Sequence, residues 1–282
     1  MSKIRVVTDS GADLSPDLAA RHGIKIVPLA ITFGSERFKD GVDLSKEAFF
    51  ERLATAKEMP FTTHPSPADF AAAYEALKAE GAEHIISIHL SSSMSGTFQS
   101  ATIGAGQVEG VQVHFFDSLS PSLGVGYLAL EAAKMAAAGA SPEAILEHVK
   151  ELRAKQKIYF TVDTLEYLAK NGRIGKAQAF LGGVLNIKPV LTITDDGYVG
   201  PFAKVRGKKK ALDTIIEAVV EHTKGQPFKG CIVHAMVEED ALALRDRLLE
   251  RLPGSEIMVD ILGPTIGTHV GHGAMGVIAF AP

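Results

Sequence analysis

One stretch restricts the possible folds of this chain more than any other. His84-Ile85-Ile86-Ser87-Ile88-His89-Leu90 is a run of mostly branched apolar residues with the length of a buried strand. It passes directly into Ser91-Ser92-Ser93-Met94-Ser95-Gly96-Thr97, and residues 98–103 then read as the first turns of a helix. A chain that leaves a parallel strand through small hydroxyl residues presents their oxygens at a helix N-terminus. There the free backbone N–H groups and the positive end of the helix dipole favour an anion. Ser95 alone reads as an ordinary N-cap. Four serines within five positions, at the carboxyl end of a strand, point to a site.

The remainder of the first half repeats the pattern. Residues 4–8 predict a buried strand ending in Asp9-Ser10-Gly11, and Ser15-Pro16 starts a helix. Residues 24–33 form a second apolar run, which Pro28 places at an edge or a bend. Ser45 opens a helix carrying Phe49, Phe50 and Leu53, and Ser66-Pro67-Ala68-Asp69 opens another with an acidic capping box. A strand at 111–116, ending in Asp117-Ser118, and helices at 124–138 and 142–155 follow. This alternation predicts a doubly wound, mostly parallel α/β domain over residues 1–155. Residues 156–282 predict an α+β domain with a mixed or antiparallel sheet. Its strands fall at 158–162, 189–194, 198–204, 230–236, 256–261 and 276–280, with short helices at 164–170 and 178–185 and longer ones at 209–223 and 240–252. Asp195-Asp196-Gly197 reads as a hairpin turn.

The 282 residues carry 33 acidic and 29 basic side chains, which gives no overall attraction to nucleic acid or anionic lipid. The basic cluster Arg206-Gly207-Lys208-Lys209-Lys210 reads as a solvated helix start. The single cysteine, Cys231, lies in an apolar run and reads as core. No apolar run reaches the length of a membrane span, and the first residues lead straight into a strand pattern, so the expected location is cytoplasmic.

Several polar groups are candidates to join the serines. Phe61-Thr62-Thr63-His64-Pro65-Ser66 reads as a polar loop whose threonines add hydroxyl donors. Residues 263–273, from Gly263-Pro264 through His269 to His272-Gly273, have the glycine density of a loop whose backbone approaches something closely. No carboxylate accompanies its two histidines, so a metal site is not expected. Ser95 as nucleophile with His269 as base is the alternative, a serine-dependent esterase or acyltransferase. However, no Gly-x-Ser-x-Gly elbow is present, and Gly172-Arg173-Ile174-Gly175-Lys176 is too short for a nucleotide-binding Walker loop.

Taken in order, the motifs resemble the DegV family of bacterial fatty-acid-binding proteins, which includes the acyl carriers of the fatty acid kinase system. The likeness spans essentially the whole chain. It runs from Val7-Thr8-Asp9-Ser10 and Ile26-Val27-Pro28-Leu29 through Thr62-Thr63-His64-Pro65-Ser66, the Ser91–Thr97 stretch and Phe116-Asp117-Ser118. It continues through Leu168-Ala169-Lys170-Asn171-Gly172-Arg173-Ile174, Lys188-Pro189, the Arg206 cluster and Gly263-Pro264 with His269. The resemblance implies a long-chain fatty acid of the palmitate or oleate class lying between two domains, the second closing an acyl-chain tunnel. Its carboxylate would be held by Thr62 and Ser95, supported by Thr63, Ser93 and Gly96. Arg206 and His269 match positions associated with presenting the head group to a partner kinase. No cofactor is implied, and catalysis would belong to the kinase. Candidate tunnel linings are the helix at 127–138 and residues 180–185. This sequence departs from the family pattern at Thr63-His64 (usually Ser-Gln), at Met94 (usually Leu) and at His272 (usually Pro).

Overall fold

A computed structural model of the chain describes residues 3–181 and 187–282. In order, the elements are β1 (Ile4–Asp9), α1 (Pro16–Arg21), β2 (Ile24–Val27), β3 (Ala30–Phe33), β4 (Glu36–Lys39), α2 (Lys46–Thr55), β5 (Phe61–Thr63), α3 (Pro67–Ala79), β6 (His84–His89), α4 (Thr97–Ala105), β7 (Gln112–Asp117), α5 (Leu123–Ala137) and α6 (Pro142–Lys155). The second half continues with β8 (Gln156–Thr161), α7 (Glu166–Lys170), β9 (Ile187–Ile193), β10 (Val199–Arg206), α8 (Lys208–His222), β11 (Lys229–His234), α9 (Glu238–Arg251), β12 (Glu256–Ile261), α10 (Pro264–Val270) and β13 (Met275–Phe280).

The chain divides into two compact units, Met1–Leu44 with Thr62–Ala154, and Ser45–Phe61 with Lys155–Pro282. The first contains a parallel sheet in the order β2-β1-β6-β7. Val7 and Ile85 face a core made with Phe70, Tyr74 and Leu77 of α3 and Ala101 of α4. The alternate positions Val6, Ile86 and Ile88 are buried as well, so both faces are covered, as parallel sheets require. From β1 the chain moves outward to β2, and from β6 it moves outward to β7 on the other side. The strand order therefore reverses between β1 and β6, the place where such sheets bind ligands beyond their carboxyl ends.

Local chemistry sets the element boundaries. Ser15 caps α1 by accepting from the Leu18 N–H, with Pro16 in the first turn. At α3 the capping box is complete: Ser66 Oγ accepts from the Asp69 N–H at 3.2 Å, and Asp69 Oδ2 accepts from the Ser66 N–H at 2.8 Å. The apolar run at 24–33 is two strands, not one. Pro28 has no N–H to extend a ladder, and β3 leaves for a separate three-stranded sheet, β4-β3-β5.

The second unit contains a six-stranded mixed sheet, β10-β9-β8-β13-β11-β12, antiparallel except for the pair β11 and β12. Between β9 and β10 the turn closes through Gly197 at φ 82°, whose N–H donates to the Thr194 carbonyl at 2.9 Å. Cys231 is buried in β11, as its apolar surroundings suggest. Burial, and next the Asp260 carboxylate, push its thiol up to about 12.

Three expectations change here. A single boundary at 155 leaves residues 45–61 in the first domain, whereas they pack with the second unit. Lys46 Nζ donates to the Ile261 carbonyl at 2.7 Å and pairs with Asp260 at 3.2 Å, and the buried Phe49 and Phe50 meet α10 at Gly267. Residues 264–270 are the helix α10 rather than loop. Pro264 starts it, and Gly271 at φ 71° ends it. The helix expected at 178–185 is in part a 3-10 turn over Gly175–Phe180, and residues 182–186 lie outside the described residues.

Gly267 tests the packing of α2 directly. A Cβ there would lie 2.6 Å from Phe49 and 2.9 Å from Phe50, both fully buried rings that have nowhere to move. Gly267→Ala is expected to lose about 1–3 kcal/mol through overpacking. The loss should appear as a lower urea midpoint with an unchanged slope, and an unchanged midpoint would contradict this packing.

Candidate ligand site

The site begins with one buried carboxylate. Asp9, the last residue of β1, accepts the Gly11 N–H on Oδ1 at 3.0 Å. Its Oδ2 accepts the Leu90 N–H at 3.0 Å and meets His89 Nδ1 at 2.9 Å. His89 Nε2 lies 2.7 Å from Ser87 Oγ, which lies 2.8 Å from the Tyr74 hydroxyl. All four residues are 0% exposed. The ionised carboxylate can only accept, so His89 Nδ1 carries the proton. In the neutral tautomer Nε2 then accepts from Ser87, and Ser87 accepts from Tyr74, so every group has a partner. Desolvation raises the Tyr74 phenol pKa, in keeping with a donor that retains its proton.

From Leu90 onward the serine loop is held by its neighbours. The Ser91 N–H donates to the Ser120 carbonyl at 3.0 Å, and the Ser92 N–H to Asp117 Oδ1 at 3.2 Å. Ser91 is buried and accepts the Ser93 N–H on Oγ at 3.2 Å. The half-buried Ser95 pairs its hydroxyl with Thr97 Oγ1 at 2.8 Å and accepts the Thr97 N–H at 3.3 Å. The N-cap position of α4 itself belongs to Gly96.

The β5–α3 connection lies directly against this loop. A Cβ on Gly96 would stand 3.0 Å from His64 Cε1 and 3.1 Å from its Nε2, so the imidazole fills the space that glycine leaves. Thr62 and Thr63 are strand residues of β5, not loop as the sequence reading expected, because Phe61–Thr63 pairs into the small sheet; with Ser93, Ser95 and Gly96 of the serine loop they belong to one unit. Thr63 and His64 also line a cavity of about 1010 Å³ in that unit.

Arg206 and His269 belong to the second unit. Arg206 ends β10 and is exposed. His269 sits on α10, where the Thr268 carbonyl accepts from Asn171 Nδ2 at 3.2 Å. Burial, and next the Arg173 guanidinium, push its imidazole down to about 3. So weak a base has little capacity to take a serine proton, which argues against the hydrolase alternative. The glycines of 263–273 do approach closely, but what they approach is the chain itself: Gly271 meets Tyr167 and Gly273 meets Asp163. His272 packs on Phe50 with ring centroids 5.2 Å apart. The proposed tunnel helix α5 is mostly buried, and Phe180 and Leu181 line a cavity of about 550 Å³ in the second unit. The rest of that segment, residues 182–185, lies outside the described residues.

The sequence reading missed the set Asp9, Ser87, His89 and Tyr74. One signal was available: Ser87 and His89 are polar at alternate positions of an otherwise apolar strand, so both must face something that satisfies them.

Comparison with known proteins agrees with this architecture. A family model described as "Uncharacterised protein, DegV family" matches residues 3–281. Protein DegV of Bacillus subtilis is 37% identical over 276 residues, covering 97% of this chain and 98% of its own length. A solved structure described as fatty acid binding of a DegV family protein from Thermus thermophilus superimposes with a TM-score of 0.92 at 37% identity, covering 99% of both chains. A structure of DegV, described as a fatty acid binding protein from Bacillus subtilis, gives 0.90 at 36% identity, covering 99% of this chain and 100% of the other.

Two predictions follow from this geometry. Asp9→Asn keeps the volume but turns an NH2 group toward one of three donors, and is expected to cost about 2–3 kcal/mol. The Gly11 and Leu90 amides should lose hydrogen-exchange protection first, and unaltered protection at both would contradict the anchoring role. For His269 the folded form resists protonation, whereas the unfolded form binds a proton below its ordinary value near 6.5. Stability is therefore intact above about pH 6.5 and falls as pH drops toward 3, by up to about 1.4 kcal/mol per pH unit. His269→Asn should flatten the pH dependence of the unfolding free energy in that window, and an unchanged slope would refute the assignment.

Proposed function

This chain belongs to the DegV family, and on that premise we propose that it binds a long-chain fatty acid whose carboxylate is held by the hydroxyls of Thr62 and Ser95. The observation that carries this reading is the contact of the β5–α3 connection, through His64, with Gly96 of the serine loop that follows β6, a strand flanking the reversal of the sheet. The fatty-acid binding described for the Thermus and Bacillus relatives supports the same ligand class. Neutral hydroxyls suit a carboxylate, because each donates a charge-assisted hydrogen bond and the start of α4 adds a favourable dipole. Thr63, Ser93 and Gly96 shape the backbone around that pair. Each buried methylene contributes about 0.8 kcal/mol, so the acyl chain supplies most of the affinity and the head group sets its register.

In this reading the protein is a carrier and performs no chemistry itself. A fatty acid kinase would phosphorylate the head group, with the exposed Arg206 and with His269 serving its presentation. No helix among the described residues is long and apolar enough to cross a membrane.

Native mass spectrometry of the purified protein, followed by solvent extraction, is expected to return a long-chain acid. Ser95→Ala and Thr62→Val should each weaken palmitate binding about tenfold, the equivalent of one charge-assisted hydrogen bond, with unfolding midpoints near the parent value. A protein that carries no acid and takes up neither palmitate nor oleate would overturn the reading. Unchanged affinity in both variants would remove these two residues from it.

A further inference from the structure

We propose that His84 and His114 form a binding site for a divalent transition ion of the zinc class, on the amino-terminal half of the first unit's parallel sheet. The site is separate from the serine loop and does not depend on the fatty-acid reading. Three observations support it.

The first is register. Strands β6 and β7 run parallel, with His84 opposite Gln112 and Ile86 opposite His114. Positions two apart on a strand share a face, so both histidines lie on one face of the sheet as diagonal neighbours. They stand 30 residues apart in the sequence, and the strand pairing brings them together. His84 opens β6, roughly 17 Å of strand before His89 and the serine loop. The second is geometry. His84 Nδ1 and His114 Nε2 are 3.2 Å apart, with ring centroids at 5.4 Å. Two nitrogens at that spacing, each about 2.05 Å from a zinc ion, subtend about 103° there, close to the tetrahedral angle. One ring donates to the other. Moving its proton to its other nitrogen frees both lone pairs, and an ion takes the place of the shared hydrogen.

The third is the surroundings. Both rings are half-buried, which leaves an ion a path from solvent. The Glu143 carboxylate, in the first turn of α6, accepts from Ser141 and from its own N–H and acts electrostatically on both rings. Among the described residues the charges acting on His114 are those of His84 and Glu143, with no lysine or arginine to repel a cation. No three histidine, cysteine or acidic side chains among the described residues form a ready ligand set. The ion is therefore held by two imidazoles, with water in its remaining positions and Glu143 as the neighbouring negative charge. Imidazole nitrogens suit zinc, nickel and copper, whereas magnesium and calcium take oxygen ligands.

The test titrates Zn2+ into the full chain at about pH 7.5, where protons compete little for imidazole. By NMR, the His84 and His114 ring signals should shift together, at a lower Zn2+ concentration than those of any other histidine, and Mg2+ should move neither. By calorimetry, His84→Gln and His114→Gln should each weaken the tightest site about tenfold or more, since each removes one of two ligands. Glutamine retains a hydrogen-bonding side chain, and the ring shifts are read on the intact protein, so a poorly folding variant does not decide the result. If another histidine responds first, if the two rings shift at different Zn2+ concentrations, or if both variants bind Zn2+ as tightly as the parent, the inference is wrong.

Discussion

A carboxylate removed from water is costly unless several donors replace the lost hydration, and Asp9 meets that condition by drawing three donors onto its two oxygens. The donors come from the turn after β1, the last residue of β6 and the first residue of the serine loop. One side chain thereby joins the carboxyl ends of the two strands that flank the reversal of the sheet. The loops beyond follow from this junction. Ser122 donates to Asp13 at 2.5 Å, and its N–H reaches the Gly11 carbonyl at 2.8 Å, so the start of α5 is tied to the turn after β1. Arg153 of α6 donates to the carbonyls of Ser118 and Leu119 beyond β7. Three strand ends and two helices are therefore held in fixed relation, which is what a site built from short side chains needs. A hydroxyl reaches about one bond beyond its Cβ, so its backbone must already be in place.

Asp9, His89 and Ser87 have the connectivity of a hydrolytic triad, yet they lie where no substrate reaches. The same groups that activate a nucleophile at a surface act here as a satisfied polar chain through the core, ending on Tyr74. Burial decides between the two outcomes. The half-buried Ser95 has a threonine as its partner instead of a base. Ser87 and Ser95 are both engaged in hydrogen bonds with neighbouring side chains.

The parts legible in the sequence were those specified by neighbours in the chain. The strand, loop and helix at 84–105, the Ser15 and Ser66 caps and the hairpin at Gly197 each depend on residues within a few positions of one another. The parts that were not legible depend on distant partners. Residues 45–61 read as an ordinary helix, and only Gly267, Asp260 and Ile261 show which unit takes them. Strands β4 and β5 are short and partly polar, and their small sheet is defined by pairing alone. At 263–273 the high glycine content suggested a loop, but the glycines serve close packing around a seven-residue helix. The hydroxyl-rich stretch after β6 was legible as a sequence feature. Its support was not, because Asp9 and His89 are brought together by the parallel pairing of β1 and β6.

Under the carrier reading, neutral donors have a physical advantage over a fixed charge. A fixed cation beside an apolar chain would need a counterion or water whenever the ligand was absent, at a cost of several kcal/mol. Serine and threonine avoid that cost by pairing with each other. The Ser95 hydroxyl is engaged by Thr97 through both its side chain and its N–H. Under the carrier reading, arrival of a carboxylate exchanges a neutral hydroxyl bond for a charge-assisted one, a gain of about 1 kcal/mol instead of the larger gain of a salt bridge. Burial of about ten methylenes is worth on the order of 8 kcal/mol, so the head group needs only to select orientation. A modest hold on the carboxylate leaves it available to a second protein while the chain remains bound. That combination suits delivery of an acyl group better than an arginine clamp would.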